Sequence, residues 1–89
     1  MPQVRFTQNI QRHVACPPQQ VGGDSLREVL DHYFNGNDQA RGYVLDELGA
    51  LRKHMAVFIN GKPIVDRQTL TDPVSSEATI DVMQALSGG

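Results

Sequence analysis

The sequence predicts an α+β domain in which a mixed sheet of four to five strands carries one main helix across one face. Three observations support this prediction: strand-like alternation near both ends of the chain, one amphipathic stripe between them, and an Asn-Gly turn after a third alternating run. Such elements can bury all their apolar faces if the helix lies across one side of the sheet. At 89 residues, the chain is expected to form one domain over residues 1–89.

The N-terminal segment predicts a β-hairpin. Val4 and Phe6 alternate with polar neighbours, as in a strand with one buried face, and a second extended run is expected at 13–16. Pro17 and Pro18 then remove two backbone donors, which a central strand could not tolerate. We therefore expect the second strand to lie at an edge of the sheet.

The main helix is expected to begin at Ser25, because Ser25 and Glu28 have the spacing of a capping box. Arg27 and Asp31 are expected to face water. The segment 35–38, Asn-Gly-Asn-Asp, tolerates the left-handed conformation that ends a helix. Apolar side chains at helical spacing form one stripe for the core: Leu26, Val29, Leu30, Tyr33 and Phe34.

The segment from Gln39 to Lys53 is expected to be a short strand or irregular, with an apolar run at 43–45 and a turn at 46–49. Leu70 is expected to anchor the loops of the second half of the chain. Asp72 and Pro73 predict a further turn.

The second half of the chain predicts a hairpin and a final strand. Met55, Val57 and Ile59 alternate with their neighbours, and Asn60-Gly61 favours a two-residue turn into 63–65. The last strand is expected at 79–83, with Ile80 and Val82 facing inward. The order β-β-α-β-β-β is that of a β-grasp fold, in which the first and last strands pair in parallel and the chain leaves from the centre of the sheet.

Composition points to a protein partner. The chain has 8 basic and 10 acidic residues with a net charge of −2, and neither sign forms a block, which argues against nucleic acid or a membrane surface as partner. The single cysteine and the polar start predict a cytoplasmic protein, and no apolar run approaches the length of a membrane span. We expect a monomer when the protein is free.

No residue pattern predicts catalysis or metal binding. Cys16 lies in an apolar context without a cationic neighbour and is expected to be a packed cysteine rather than a reactive thiol. His13, His32 and His54 lack metal-ligand spacing, so no metal site is predicted. Ser87 has no paired base. The chain is therefore expected not to be an enzyme.

The end of the sequence indicates a different kind of chemistry. Residues 84–89 are expected to form a flexible tail that ends in Gly88 and Gly89. Glycine lacks Cβ, so a diglycine end can thread a channel too narrow for other residues. The terminal carboxylate of Gly89 is the candidate reactive group, and an incidental frayed end is the alternative.

The segments 56–61 (Ala-Val-Phe-Ile-Asn-Gly) and 80–89 (Ile-Asp-Val-Met-Gln-Ala-Leu-Ser-Gly-Gly) resemble the MoaD/ThiS family of ubiquitin-like sulfur carriers. Residues 48–54 are similar to the segment that enters the strand in that family. The chain departs from the family at 75–77, where an acidic-glycine turn is common, and at Gln84, where a proline is common. The resemblance spans nearly the whole chain and implies a ubiquitin-like β-grasp fold.

The resemblance also implies a function. An E1-like adenylating enzyme of the MoeB/ThiF type would activate Gly89, with ATP and magnesium bound by that enzyme and no cofactor bound by this chain. Leu86, Ser87 and Gly88 would thread its channel. A sulfur donor, either a sulfurtransferase or a cysteine desulfurase, would then form a thiocarboxylate for a downstream sulfur-accepting synthase, for example in molybdopterin or thiamine biosynthesis.

Two alternatives remain open at this point. In the first, the chain is a ubiquitin-like modifier that is joined through Gly89 to target lysines. In the second, it is a plain protein-binding domain whose Gly-Gly is incidental.

Phe58 and Met83 are predicted to form a partner interface. Each occupies the phase opposite the buried residues of its strand and should emerge on the open face of the sheet. In the simpler alternative, long neighbours such as Arg5 or Lys62 cover them. The family resemblance favours a docking patch beside the tail.

Overall fold

The computed structural model describes residues 1–84 of the chain. It contains five strands and three helices over these residues: β1 (Gln3–Phe6), α1 (Gln8–Gln11), β2 (Gln19–Gln20), α2 (Leu26–Tyr33), α3 (Asp38–Val44), β3 (Met55–Ile59), β4 (Lys62–Pro63) and β5 (Thr79–Gln84). No helix in this part of the chain is long and apolar enough to cross a membrane.

The five strands form one mixed sheet in the order β2-β1-β5-β3-β4. β1 and β5 are parallel, with Val4 beside Ile80 and Phe6 beside Val82, and the other pairs are antiparallel. The helices α2 and α3 carry the chain from β2, at one edge, across the sheet to β3 on the other side of the parallel pair. The predicted fold class and the central position of the last strand are confirmed.

The main helix α2 begins where the capping residues predict. The Oγ of Ser25 accepts a hydrogen bond from the backbone N–H of Glu28, at 3.2 Å. The Glu28 carboxylate reaches back to the N–H of Asp24, at 2.9 Å, one residue before the position expected for a capping box. The first contact satisfies a donor that the first helical turn leaves free, the second satisfies a donor just before the N-cap, and the predicted start is confirmed.

The apolar stripe of α2 packs against one face of the sheet. All five predicted stripe residues are buried, and they join β1, β3 and β5 in one core cluster. The ring of Phe6 lies 4.9 Å from that of Tyr33 and 6.2 Å from that of Phe34, measured between centroids. Cys16 is buried in the same cluster, where burial raises the pKa of its thiol, so the predicted packed cysteine is confirmed.

The predicted second strand at 13–16 is wrong. The chain after β1 instead forms the short helix α1, which buries Ile10, and β2 follows only after Pro17-Pro18. β2 pairs antiparallel with β1 at the sheet edge, as Gln3 with Gln20 and Val4 with Gln19. The edge position was predicted, but the residues of β2 are both exposed and carry no apolar pattern.

The segment from Gln39 to Lys53, predicted as a short strand or irregular, is helical as far as Val44 and irregular after it. α3 begins after Asn37, whose side chain accepts from the N–H of Ala40, and it buries Ala40 and Val44. The apolar run at 43–45 is therefore the end of a helix and its cap. The predicted turn at 46–49 is confirmed, because the Asp46 carboxylate accepts from the backbone N–H of Leu48 and of Ala50, both at 2.9 Å.

Arg27 was predicted to face water, but its side chain forms hydrogen bonds to two backbone carbonyls. Its guanidinium donates to the carbonyl of Gly49 at 2.6 Å and to that of Thr69 at 3.3 Å. Gly49 has a φ of 84°, and a Cβ there would lie 3.0 Å from the Arg27 guanidinium. The side chain thus ties α2 to two loops that are distant in sequence.

The β3–β4 hairpin has the predicted Asn60-Gly61 turn. Both residues have positive φ, 52° and 81°, as a two-residue turn that matches the twist of the strands requires. The turn pairs Ile59 with Lys62. The hairpin is therefore confirmed, although the strand assignment of β4 ends at Pro63.

The loop before β5 is held by a carboxylate. Asp66 accepts hydrogen bonds from both the side chains and the backbone N–H groups of Thr69 and Thr71. These bonds, led by that from the Thr69 hydroxyl, hold the pKa of Asp66 well below its usual range. The loop buries Leu70 completely, so the predicted anchor is confirmed.

Candidate functional site

The predicted reactive group, the carboxylate of Gly89, follows the end of β5 in the sequence. β5 lies in the middle of the sheet, between β1 and β3, and its last residue, Gln84, pairs with Met55. The tail was predicted to start at residue 84, but Gln84 belongs to the strand. The predicted tail residues Leu86, Ser87, Gly88 and Gly89 lie outside the described part of the chain.

The open face of the sheet carries Phe58 and Met83. Val57 and Val82 point into the core and are about 1% and 0% exposed, whereas Phe58 and Met83 have the opposite phase and are half-buried. The predicted phases of both strands are therefore confirmed.

Phe58 and Met83 are diagonal rather than direct neighbours. Phe58 lies opposite Asp81, and Met83 lies opposite Ala56. Diagonal positions on one face of a sheet are about 7–8 Å apart, within reach of an aromatic and a long side chain. Ala56, which lies opposite Met83, has a small side chain and covers little of the open face beside them.

An ion pair lies next to these residues. The guanidinium of Arg5 binds Asp81 with two hydrogen bonds, Nε to Oδ1 at 2.8 Å and an Nη to Oδ2 at 3.1 Å. Arg5 and Asp81 are direct partners in the parallel register of β1 and β5. The sequence contains a signal for this pair, because Arg5 and Asp81 have opposite charges and both occupy outward-facing positions of their strands. The pair holds the Arg5 side chain at Asp81 and gives the open face a polar border.

A polar and aromatic cluster surrounds the end of β5 on the helix side. The Gln84 side-chain oxygen accepts from the Asn9 side-chain amide at 3.2 Å and from the Tyr43 hydroxyl at 3.1 Å. The Tyr43 ring stacks on that of His13, with centroids 5.5 Å apart, and meets that of His54 edge-on at 6.5 Å. We call these five residues the Gln84 cluster. Its members are far apart in the chain, so no local sequence pattern predicts it.

The histidines take no part in a metal cluster within residues 1–84. No group of three or more His, Cys, Asp or Glu side chains in this range is placed to hold a metal ion. His13 and His54 pack on Tyr43, and the Nδ1 of His32 lies 2.6 Å from the carbonyl oxygen of Gly22. The same part of the chain forms no pocket.

Comparison with known proteins shows likeness in structure. The chain matches CysO in the crystal structure of the Amycolatopsis orientalis BexX/CysO complex with a TM-score of 0.81 and 17% identity, over 100% of both chains. It matches Mycobacterium tuberculosis CysO, described as an antigen, with a TM-score of 0.80 and 13% identity, over 97% of this chain and 100% of that one.

A third solved structure comes from an archaeon. SAMP1 from Haloferax volcanii matches with a TM-score of 0.75 and 18% identity, over 99% of this chain and 98% of that one. No protein-family model and no curated protein matches the sequence. At these identities the likeness concerns the fold. The chain is therefore a ubiquitin-like β-grasp domain, with the architecture that CysO and SAMP1 share over their full length.

Proposed function

We propose that this protein is a sulfur carrier whose Gly89 carboxylate is activated by a partner enzyme and converted to a thiocarboxylate. The observation that carries the proposal is the position of β5. The central strand ends at Gln84, beside an open face with Phe58 and Met83, and the chain continues for five residues to and including Gly89. A segment of that length spans at most about 17 Å when extended, enough to enter an active site next to a docked domain.

The chemistry proceeds in three steps. A carboxylate oxygen of Gly89 attacks the α-phosphorus of ATP and releases pyrophosphate, which gives an acyl-adenylate. The outer sulfur of a donor persulfide then attacks the acyl carbon and displaces AMP, which gives an acyl disulfide. A second thiol attacks the donor's own sulfur, breaks the S–S bond by forming a new disulfide with the donor, and releases the thiocarboxylate. The carboxylate alone has no good leaving group, so activation has to come first. The product thiocarboxylate is a sulfur nucleophile for a downstream synthase.

In this proposal the chain supplies the Gly89 carboxylate, and the partner enzymes catalyse its activation and sulfuration. ATP and magnesium bind to the E1-like adenylating enzyme, and the sulfur comes from a sulfurtransferase or cysteine desulfurase. The fold likeness to CysO, which was crystallised in a complex with BexX, supports the view that such a domain works through a protein partner.

The test is the intact mass of the protein isolated from its native cells. A sulfur carrier should show a species in which one sulfur replaces one oxygen, located at Gly89 by fragmentation. The measurement also establishes whether Gly89 ends the mature protein, which the proposal requires. Absence of that species in cells grown under sulfur-cofactor demand would contradict the proposal.

A protein modifier is the second candidate. Two of the structurally similar proteins, from Haloferax volcanii and Methanosarcina acetivorans, are named small archaeal modifier protein 1. A modifier uses the same activation but ends in an amide with a lysine. Digestion of native lysates separates the functions, because a modifier leaves tail remnants on target lysines and a plain binding domain leaves neither remnants nor sulfur.

Phe58 and Met83 are proposed as the docking patch for the activating enzyme. We expect Phe58→Asp and Met83→Asp each to weaken binding of that enzyme by about 1–3 kcal/mol, because apolar contact area is replaced by a charge that must be desolvated. Both side chains lie outside the core cluster, so the melting temperature should change little for Met83→Asp and fall slightly for Phe58→Asp, whose new carboxylate lies opposite Asp81. Titration calorimetry and thermal melts measure the two effects.

Leu48→Asp and Val65→Asp are the matched controls. Both residues are apolar and exposed, at 92% and 90%, and both lie in loops rather than on β3 or β5. They add the same charge without touching the patch, so binding should be retained. Equal weakening by the controls would indicate a general charge effect, and unchanged binding by the patch variants would place the interface on another surface.

A further inference from the structure

We propose that Asn9 and Tyr43, acting through Gln84, fix the direction in which the chain leaves the sheet and so position the terminal carboxylate for activation. This inference rests on the proposed carrier function and adds positioning residues to it. Neither Asn9 nor Tyr43 would touch the reacting atoms. Both hold the last residue of β5 from the helix side of the sheet.

The first observation is a polar residue at a core position. Ile80 and Val82 point to the core and are fully buried, and Gln84 has the same phase in β5. An apolar side chain at this point would extend the core. Instead, Gln84 is half-buried and its oxygen accepts two hydrogen bonds. Two directed bonds restrict the orientation of the strand end more than apolar contact does, because apolar contact has no preferred direction.

The second observation is that separate segments converge on this one side chain. Asn9 comes from α1 and Tyr43 from α3, while the backbone of Gln84 pairs with Met55 at the start of β3. The Tyr43 ring is itself held between His13 and His54, so its hydroxyl has a defined direction. The end of β5 is thus fixed from three elements of the fold.

A fixed direction matters because the remaining chain is short. Strand ends tend to fray, and once the channel of the activating enzyme holds the last five residues extended, a change of about 20° in the direction of the chain at residue 84 would move the end of that segment by about 6 Å. Misplacement of a reacting group by even one ångström can lower a rate substantially. The Gln84 cluster therefore acts on the step in which Gly89 meets ATP.

The experiment compares Tyr43→Phe with Tyr33→Phe in the full-length protein. Each variant removes one phenol hydroxyl and keeps the ring; the Tyr33 hydroxyl donates to the carbonyl of Pro17 at 2.6 Å, away from β5. In ATP–pyrophosphate exchange with the MoeB/ThiF-type enzyme of the source organism, Tyr43→Phe should lower kcat about fivefold and leave KM unchanged. Tyr33→Phe should lower the melting temperature and leave kcat unchanged.

Two further measurements exclude a merely structural role. In a Gln84→Met background, which lacks the acceptor, Tyr43→Phe should have no additional effect on kcat. The NMR order parameter of the Gln84 backbone amide should fall in Tyr43→Phe and in Asn9→Ala but not in Tyr33→Phe. This readout requires no partner enzyme.

The possible results distinguish a failure of the positioning role from a failure of the proposed carrier function. Normal exchange by the wild-type protein together with an unchanged kcat in Tyr43→Phe would overturn the positioning role and leave the carrier function standing. An order parameter at Gln84 that is the same in all variants would also overturn it. No exchange by the wild-type protein would overturn the carrier function and, with it, the inference.

Discussion

Deleting Gly89 is expected to abolish adenylation by the activating enzyme, the largest effect we predict on activity. The shortened chain would present its carboxylate one residue, up to about 3.5 Å, short of the ATP site. The core cluster lies within residues 4–82, so the melting temperature should not change. ATP–pyrophosphate exchange measures the first effect and a thermal melt the second.

Ser87→Ala is the matched control for the deletion. Ser87 is among the residues expected to thread the channel, but alanine is smaller than serine, so the variant keeps the length, the terminal carboxylate and the fit of the segment, and exchange should continue at nearly the wild-type rate. Undiminished exchange by the protein without Gly89 would contradict the proposal that this residue is the activated group.

Leu30→Ala is expected to destabilise the domain by about 2–5 kcal/mol, because it leaves a cavity where α2 packs against the sheet. Leu30 is fully buried in the middle of the helical stripe. For a small domain with a typical stability of about 5–15 kcal/mol, this loss is a large part of the total. Urea unfolding followed by circular dichroism measures it.

The neighbouring Asp31→Ala is the control for Leu30→Ala. Asp31 is exposed and forms ion pairs with Arg41 at 3.0 Å and with Arg27 at 3.8 Å. Exposed pairs of this kind contribute about 1 kcal/mol or less, so the variant should remain close to the wild type. Equal effects at the two positions would mean that the stripe of α2 does not face the core.

The parts of the fold that could be predicted are those with a long regular pattern. The stripe of α2 has five apolar residues at helical spacing, and β5 alternates from Thr79 to Val82, so in each case only one face can be buried. The Asn60-Gly61 turn was predictable because both residues tolerate positive φ. These elements determine the sheet order and therefore the class of fold.

The missed elements are short or lack a pattern. α3 has seven residues with Gly42 inside it, and the adjacent apolar residues at 43–45 imitate a strand. Its signal was the capping residue Asn37 followed by the i, i+4 pair Ala40 and Val44. β2 consists of two exposed glutamines that are held by backbone pairing alone, so no side-chain pattern could reveal it.

The candidate site was predictable only in part. The phases of Phe58 and Met83 follow from the alternation of their own strands. The hydrogen bonds of Gln84 to Asn9 and Tyr43 join residues that are 75 and 41 positions apart, and no local rule links them. Such contacts are set by how α1 and α3 pack on the sheet, which depended on the two helices that the sequence analysis missed.

The parallel pairing of β1 with β5 also governs how the chain folds. β5 lies between β1 and β3, so within the sheet the two antiparallel pairs β1–β2 and β3–β4 are joined through residues 79–84. β1 and β5 lie near opposite ends of the chain, so bringing them together costs chain entropy before their pairing stabilises the fold. Non-local pairing of this kind slows folding. During synthesis on the ribosome, the sheet cannot be completed until β5 has emerged. Under the proposed docking mode, an activating enzyme that binds the open face beside β5 would thus select chains that have finished folding.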